Sequence, residues 1–314
     1  MTRRGIRPDM PASIGLLLAI AALALGCPAA EEASDQPAPA GMAASTSGPD
    51  PESPVAPGGA PRIVSLSSLA TRFLDELGAG SLIVALDGPA DPASAAKTLT
   101  PNKSAPRLAD LVRLEPDYLF LPTLPDDQAD LADLEASGTR VIAFAPHNLE
   151  DVMALLHGVG VELVGEEGAT AFERRLLRPV ALIAGQSSPF DRLRVIALVG
   201  VDPPEIAGGH SFETDLIEIA GASSLTHGGS DIRQPIDREN LAKRTPDLVV
   251  VMTDGEIAPA DQDRALEFVG EIAPVLFFPY ARETFWLEEP ARDAARLRKS
   301  IVALERERTS ARKP

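Results

Sequence analysis

The sequence predicts an α/β protein of two lobes, each a small parallel sheet flanked by helices, joined by one long backbone helix. Three observations lead there. From Pro61 onward, short β-rich runs alternate with helical patterns, as they do in parallel-sheet domains. The runs form two groups that repeat each other in order. Between the groups lies a stretch without strand character, Leu149 to Gly185, whose apolar residues recur at helical spacing.

The first sixty residues read as address and tether. Arg3, Arg4 and Arg7 precede the uncharged run Ile14 to Leu25, which matches a signal-peptide core and would span only about 18 Å as a helix, too short for a bilayer interior of about 30 Å. The run ends in Leu23-Ala24-Leu25-Gly26-Cys27, which resembles a bacterial lipobox and makes Cys27 the lipidation candidate. A plain signal peptide with a chance cysteine is the alternative. Between Cys27 and Pro61 there are seven prolines and five acids, with no basic and no aromatic residue, a composition that cannot bury enough surface to fold.

The strands of the first group are expected at Ile63 to Ser65, Leu82 to Leu86, Tyr118 to Leu121 and Val141 to Phe144. Those of the second are expected at Val195 to Val199, Leu248 to Met252 and Val275 to Phe278. Phe73 to Ala79 lies on Leu216 to Ala222, both reading as a helix end stopped by a glycine. Leu111 to Leu121 lies on Leu241 to Val251, with Pro116-Asp117 over Pro246-Asp247. Between the groups, Phe172, Leu176, Val180 and Ile183 predict a helix over Ala169 to Ala184, with a bend near Arg178 because Pro179 interrupts the hydrogen-bond ladder. The expected organisation is a signal peptide over 1–26, a linker over 27–60, an N-terminal lobe over 61–148, connecting helices over 149–186 and a C-terminal lobe over 187–314.

Charge and composition exclude several functions. With 29 basic against 46 acidic side chains the chain carries −17, which argues against nucleic acid as a partner. A single cysteine rules out an intramolecular disulfide, a Cys-x-x-Cys pair and multi-cysteine metal sites. Gly209-His210-Ser211-Phe212-Glu213 resembles a nucleophile elbow, but Glu213 replaces the glycine that the tight turn needs. There is no phosphate-cradling Gly-Lys-Ser or Gly-Lys-Thr loop and no His-Glu-x-x-His. The reading is therefore of a protein that is not an enzyme and needs no cofactor.

Several short segments, in this order, resemble one family. They are Arg62-Ile63-Val64-Ser65-Leu66-Ser67; Leu77-Gly78-Ala79; Leu108-Ala109-Asp110-Leu111 with Glu115-Pro116-Asp117; and Gly138-Thr139-Arg140-Val141-Ile142. The second half supplies Ala207 to Phe212, Ile219-Ala220-Gly221-Ala222, and Asp237-Arg238-Glu239-Asn240-Leu241 before Thr245-Pro246-Asp247. Together they resemble the helical-backbone (class III) extracytoplasmic solute-binding proteins of ABC importers for cobalamin, haem and ferric siderophores, over roughly Pro61 to Ser300. The resemblance implies a ligand cleft between the lobes, limited hinge motion, and an acidic residue on each lobe that docks onto arginines of the permease. Glu239 stands at the second-lobe position. In the first lobe that place is Ala109, with Asp110 beside it.

The loops after the strands supply the candidate ligand residues: Ser67, Ser68 and His147 in the first lobe, His210, Ser211, Arg233, Tyr280, Arg282 and Trp286 in the second. Each has a plainer reading. Ser67 or Ser68 N-caps the next helix. His210 and His227 suit a metal or haem iron, or are polar surface. Trp286 walls the cleft or covers the core of the C-terminal helix. Lys97 and Lys103 can meet an anion or simply face water. The loop Asp202 to Ser211 is about eleven residues longer than its first-lobe counterpart and is expected to point at the cleft, shaped by Pro203-Pro204 and Gly208-Gly209. Aromatic residues are only 4% of the chain, so flat-ring packing against a corrin or haem has few partners.

The expected protein is thus a monomeric, lipid-anchored extracytoplasmic receptor. It takes a small metal chelate or tetrapyrrole and passes it to a permease with its ATPase. The alternative is a two-lobed surface lipoprotein with an interaction or sensory role and no transported ligand.

Overall fold

The structure is a computed structural model that describes residues 59–87, 97–98, 111–124, 131–186, 193–281, 285–288 and 290–311. The first sheet contains β1 (Ile63–Ser65), β2 (Ile83–Leu86), β3 (Lys97–Thr98), β4 (Tyr118–Leu121) and β5 (Arg140–Ala143), all parallel, in the order β3-β2-β1-β4-β5. Its helices are α1 (Ser68–Leu77) and the short α2 (Ala132–Ala136). Strands alternate their side chains between two buried faces. Ile63, Tyr118 and Phe120 point into the main core, while Val64, Leu119 and Leu121 pack with Leu111, Leu131 and Leu134 on the other side. This two-sided burial is why the strands read as continuous apolar runs.

The second sheet is built from β6 (Arg194–Val201), β7 (Pro204–Ala207), β8 (Ser223–Ser224), β9 (Arg233–Pro235), β10 (Leu248–Asp254) and β11 (Val275–Tyr280), with α5 (Phe212–Ile219), α6 (Arg238–Arg244) and α7 (Pro259–Val269) around it. Its order is β11-β10-β6-β7-β9, with β8 also paired to β6. Val195, Ala197, Leu248 and Val250 face the main core; Ile196, Leu198, Val249 and Val251 face a second cluster. Strands β6, β8, β10 and β11 are parallel, but β7 runs antiparallel to both of its neighbours, β6 and β9. The long loop expected after β6 is therefore partly sheet: the chain turns at Asp202-Pro203, pairs back along β6, and is itself covered by β9. Pro204 at the head of β7 masks that strand in the sequence, because proline cannot donate to a ladder and favours turns.

The repeat is visible at atomic detail. The backbone N–H of Arg62 donates to Asp117 Oδ2 at 2.7 Å, and that of Arg194 donates to Asp247 Oδ2 at 2.9 Å. The residues that open these corners, Glu115 and Thr245, share a left-handed backbone, with φ 46° and 47°. Gly78 and Gly221, with φ 88° and 92°, follow the paired helices α1 and α5, where a left-handed residue ends the helix. One corner is built twice.

The lobes are joined by a run of helical turns from Leu149 to Ala184, 36 residues in all, kinked at Gly165. It consists of α3 (Leu149–Leu155), a π-helical turn (Leu156–Gly160) and α4 (Val161–Ala184). It begins twenty residues before the expected Ala169. The non-helical backbone within it falls at Gly165 (φ 74°, ψ 169°), not near Arg178. Pro179 is held inside the helix by the burial of its neighbours Leu176, Leu177, Val180 and Ala181, since tertiary packing outweighs one lost hydrogen bond. After the second sheet, α8 (Phe285–Glu288) leads to α9 (Pro290–Ala311), which packs on α4 and α5. The main core runs through both lobes and the connecting helix without interruption.

Candidate ligand-binding cleft

A cavity of about 750 Å³ opens between the two sheets. The first lobe lines it with Leu66 to Leu69 after β1, Pro122 after β4, and Phe144 to His147 after β5. The second lobe contributes Met252 to Asp254 at the end of β10 and Tyr280 at the end of β11. These are the carboxyl ends of parallel strands, where open α/β sheets place their ligands. Six of the residues that the sequence singles out line it: Ser67, Ser68, His147, Arg233, Tyr280 and Trp286.

Local hydrogen bonds fix the walls. Ser67 is the N-cap of α1, its Oγ accepting from Ala70 N at 3.2 Å, while Ser65 Oγ donates to Ser67 O at 3.0 Å. Ser68, one residue on, is exposed. The matching cap in the second lobe is Ser211, whose Oγ accepts from Thr214 N at 3.2 Å and donates to Gly208 O at 2.9 Å. Ser211 is fully buried and lies outside the cavity lining. Gly208 and Gly209 let two chains touch here: a Cβ on Gly208 would fall 1.9 Å from Asp231 O. That contact carries the β9 approach, and Arg233, paired in register with Ala207, sits with its Nη1 3.6 Å from Glu205 Oε2 on β7.

The floor is aromatic. Trp286 is completely buried and lies 6.0 Å, centroid to centroid, from both Phe73 and Phe144 of the first lobe. It also stacks on Phe212 of the second lobe at 6.4 Å. Trp286 thus belongs both to the core and to the cavity lining, because one face of the core is the bottom of the cavity. Beside it, the Tyr280 hydroxyl donates to Glu213 Oε1 at 2.6 Å in a buried pair.

A second cavity of about 630 Å³ lies along β5 and α3, and the two share Ala145, Pro146 and His147. His210 lines this one. Its Nδ1 lies 2.9 Å from Asn148 Nδ2, and its Nε2 lies 3.2 Å from Asp151 Oδ2. Asn148 Oδ1 is engaged in capping Asp151 N at 2.8 Å, so its amide nitrogen faces His210 and requires Nδ1 to accept. Nearby, Asp215 Oδ2 accepts from Leu149 N at 2.7 Å, tying α5 to the start of the connecting helix. Desolvation pushes the Asp215 carboxyl up to about 7; the Leu149 N–H works against this, while Glu150, Asp151 and Glu218 add to it. At the far rim, Arg140 and Tyr118 both hold Glu162, at 2.7 Å each. Desolvation, then the Glu162 bond, push the Tyr118 phenol up to about 12. Burial opposes the charge on Glu162, but the Tyr118 and Arg140 hydrogen bonds prevail and lower its carboxyl.

The remaining candidates lie apart. His227 is outside both cavities, with Nδ1 3.8 Å from Glu218 Oε1. Among the described residues no group of three His, Cys, Asp or Glu side chains is placed to hold a metal ion. Glu239 is exposed in the first turn of α6 and pairs with Lys243 at 2.7 Å. Cys27, Asp110 and Arg282 lie outside the described residues, as do the side chains of Lys97 and Lys103. The sequence does not single out Glu213, Asn148, Asp151 or Asp215. Their signal is faint: each falls within a few residues of a cap, where polar residues are expected anyway.

No protein-family model matches the sequence. Solved structures do match. A possible iron-binding, periplasmic solute-binding protein from Staphylococcus epidermidis is similar with a TM-score of 0.58 and 17% identity, over 76% of this chain and 98% of that one. The periplasmic haem-binding protein HutB of Vibrio cholerae gives a TM-score of 0.57 at 17% identity, over 77% and 99%. The chain has the periplasmic solute-binding fold. An ABC transporter substrate-binding protein from Listeria monocytogenes shares that fold at a TM-score of 0.55 and 16% identity, over 76% of this chain and 97% of its own. In this two-lobed fold, the cavity above occupies the gap between the lobes.

Proposed function

We propose that this protein is the extracytoplasmic receptor of an ABC importer, binding an iron chelate, haem or a cobalamin-type solute between its lobes and delivering it to a permease, without catalysis. One observation carries the reading: the main cavity draws its walls from both lobes, at the carboxyl ends of β1, β4, β5, β10 and β11. The shared fold with periplasmic solute-binding proteins supports it. So does the size, since about 750 Å³ falls within the usual range for small-molecule sites. Cys27 serves as the lipid anchor, and Glu239 with Asp110 forms the docking contacts. The ligand set is Ser67, Ser68, His147, His210, Arg233, Tyr280, Arg282 and Trp286, whereas Ser211, expected there from the sequence, is buried as the cap of α5 and only shapes the wall.

The test is a thermal-shift screen of the purified receptor with haemin, cyanocobalamin and ferric siderophores, followed by calorimetry on any hit. A ligand at 100 times its dissociation constant adds about 2.7 kcal/mol of stability, enough to read directly. A bound chelate whose affinity collapses on shortening Tyr280 or Arg233 is the expected result. Silence from every chelate would remove the transport reading.

A further inference from the structure

The charge of the chain is not spread evenly along it. Residues 27–289 hold eighteen basic against forty-two acidic side chains, whereas residues 290–314 hold eight basic against three acidic. The second segment is almost entirely α9, so a strongly acidic protein carries a basic helix.

Within α9 the cations are ordered. Arg292, Arg296, Lys299 and Arg306 are exposed, and so is Ala303 between the last two. These five follow steps of four, three, four and three residues, which trace one face of an α-helix about 21 Å from end to end. The opposite face holds Ala294, Leu297 and Ile301, buried in the main core where α9 packs on α4 and α5. Asp293 is withdrawn into the protein, with Arg296 Nη2 3.5 Å from its Oδ1. Arg296 also donates to the Pro279 carbonyl and lies over the ring of Phe278, its Cζ 4.4 Å from the centroid, which holds it against the lobe. The surplus of positive charge stands with Asp293, Glu305 and Glu307 already counted against it.

Because the core holds its apolar face, α9 cannot roll over and insert into lipid as a free amphipathic helix does. What it presents is a fixed row of cations, long enough to match an extended anionic surface. None of its described residues lines either cavity, so covering this face leaves the cleft accessible.

We propose that the exposed face of α9 is a docking surface for anionic phospholipid headgroups, holding the flank of the second lobe against the membrane. Charge complementarity selects this occupant. The rest of the chain is acidic and is repelled by an anionic bilayer, so attraction through α9 decides which side turns toward it. Each Lys or Arg held near such a surface strengthens binding roughly fivefold, and salt erodes the gain. The Cys27 anchor proposed above brings the bilayer within reach, but the contact depends neither on the anchor nor on what the cleft binds.

The test uses the full chain carrying Cys27→Ser, so that no attached lipid contributes, and measures partition coefficients by titration with vesicles. One set is phosphatidylcholine; the other is equal parts phosphatidylcholine and phosphatidylglycerol. Whatever the leader adds is common to every variant. Partition should favour the anionic vesicles at least tenfold at low salt, and high salt should abolish that preference. Lys299→Glu with Arg306→Glu should cut the preference at least tenfold, and the milder Lys299→Gln alone about fivefold. Lys243→Glu with Arg264→Glu is the matched control. It changes net charge by the same amount, on exposed positions of α6 and α7, which cover the other face of the second sheet, and should leave the preference nearly intact. Melting temperatures equal to that of the parent check that the variants are folded. Absence of any preference for the anionic vesicles, or a preference untouched by the α9 variants, would overturn the proposal. An equal loss in both double variants would also overturn it, since net charge and not this face would then govern binding. With no solute or permease in the experiment, none of these outcomes bears on the receptor reading.

Discussion

Asp215 sits where two helix beginnings meet. It belongs to the first turn of α5, yet it accepts from Leu149 at the start of the connecting helix, and desolvation holds its carboxyl at about 7 instead of 3.8. The sign follows from linkage. The folded protein keeps a proton that the unfolded chain has lost, so this group makes the fold progressively less stable as pH rises from about 4 to about 7, and levels off above that. Each unit of difference corresponds to about 1.4 kcal/mol, so the whole effect is on the order of a few kcal/mol. Asp215→Asn is expected to melt close to the parent near pH 4 and to gain on it steadily toward pH 8, in thermal scans at fixed ionic strength. A gain that does not vary with pH would show that the carboxyl is not titrating. Nothing in the sequence distinguishes Asp215 from any acid in a first helical turn, because its environment comes from residues some sixty positions away. Ser67 is the opposite case. Its place before an apolar helical run offers it, with Ser68, as a cap, and the capping bond falls on Ser67; Ser211 makes the same bond in the second lobe, where the sequence offers it only as a ligand candidate.

Among the elements, the parallel strands are the most legible, since burial on both faces forces continuous runs such as Leu248 to Met252. The β7–β9 edge is not, because Pro204, Pro235 and charged residues give it the composition of a loop. The connecting helix is legible only in its second half. Its π-helical turn and the break at Gly165 lie where the spacing drifts off an ideal helical period. Gly165 has φ 74° and ψ 169°, a region open essentially to glycine alone, while a Cβ there would touch nothing within 4 Å. Gly165→Ala should therefore cost about 1–3 kcal/mol through backbone strain and not through a clash. Gly158→Ala is the control, since nothing lies within 4 Å of its Cβ and its φ is not in the left-handed range. Chemical denaturation of the two variants separates the cases, and equal stability would show that Gly165 is not held in that conformation.

For the molecule as a whole, the proposed lipid anchor and the proposed permease contact are tested by separate substitutions. Cys27→Ser should move the protein from the membrane fraction to the soluble fraction without altering chelate affinity; persistent membrane association would count against the anchor. Glu239→Lys reverses an exposed charge that makes an i,i+4 pair with Lys243, worth a few tenths of a kcal/mol. It should leave melting and ligand affinity in place while weakening binding to the permease complex in reconstituted vesicles. The two-lobed plan is legible from the repeat because the same corner is encoded twice, by Asp117 and Asp247. The contents of the gap are not, because Glu213, Tyr280 and Trp286 converge from separate parts of the second half, and Phe73 and Phe144 approach from the first. Trp286 and its ring neighbours also join both halves in one uninterrupted apolar mass. A protein welded at its base in this way has little freedom to clap shut. The jaw width is set when the chain folds, and a solute held there as proposed would have to match a mould that is already cast.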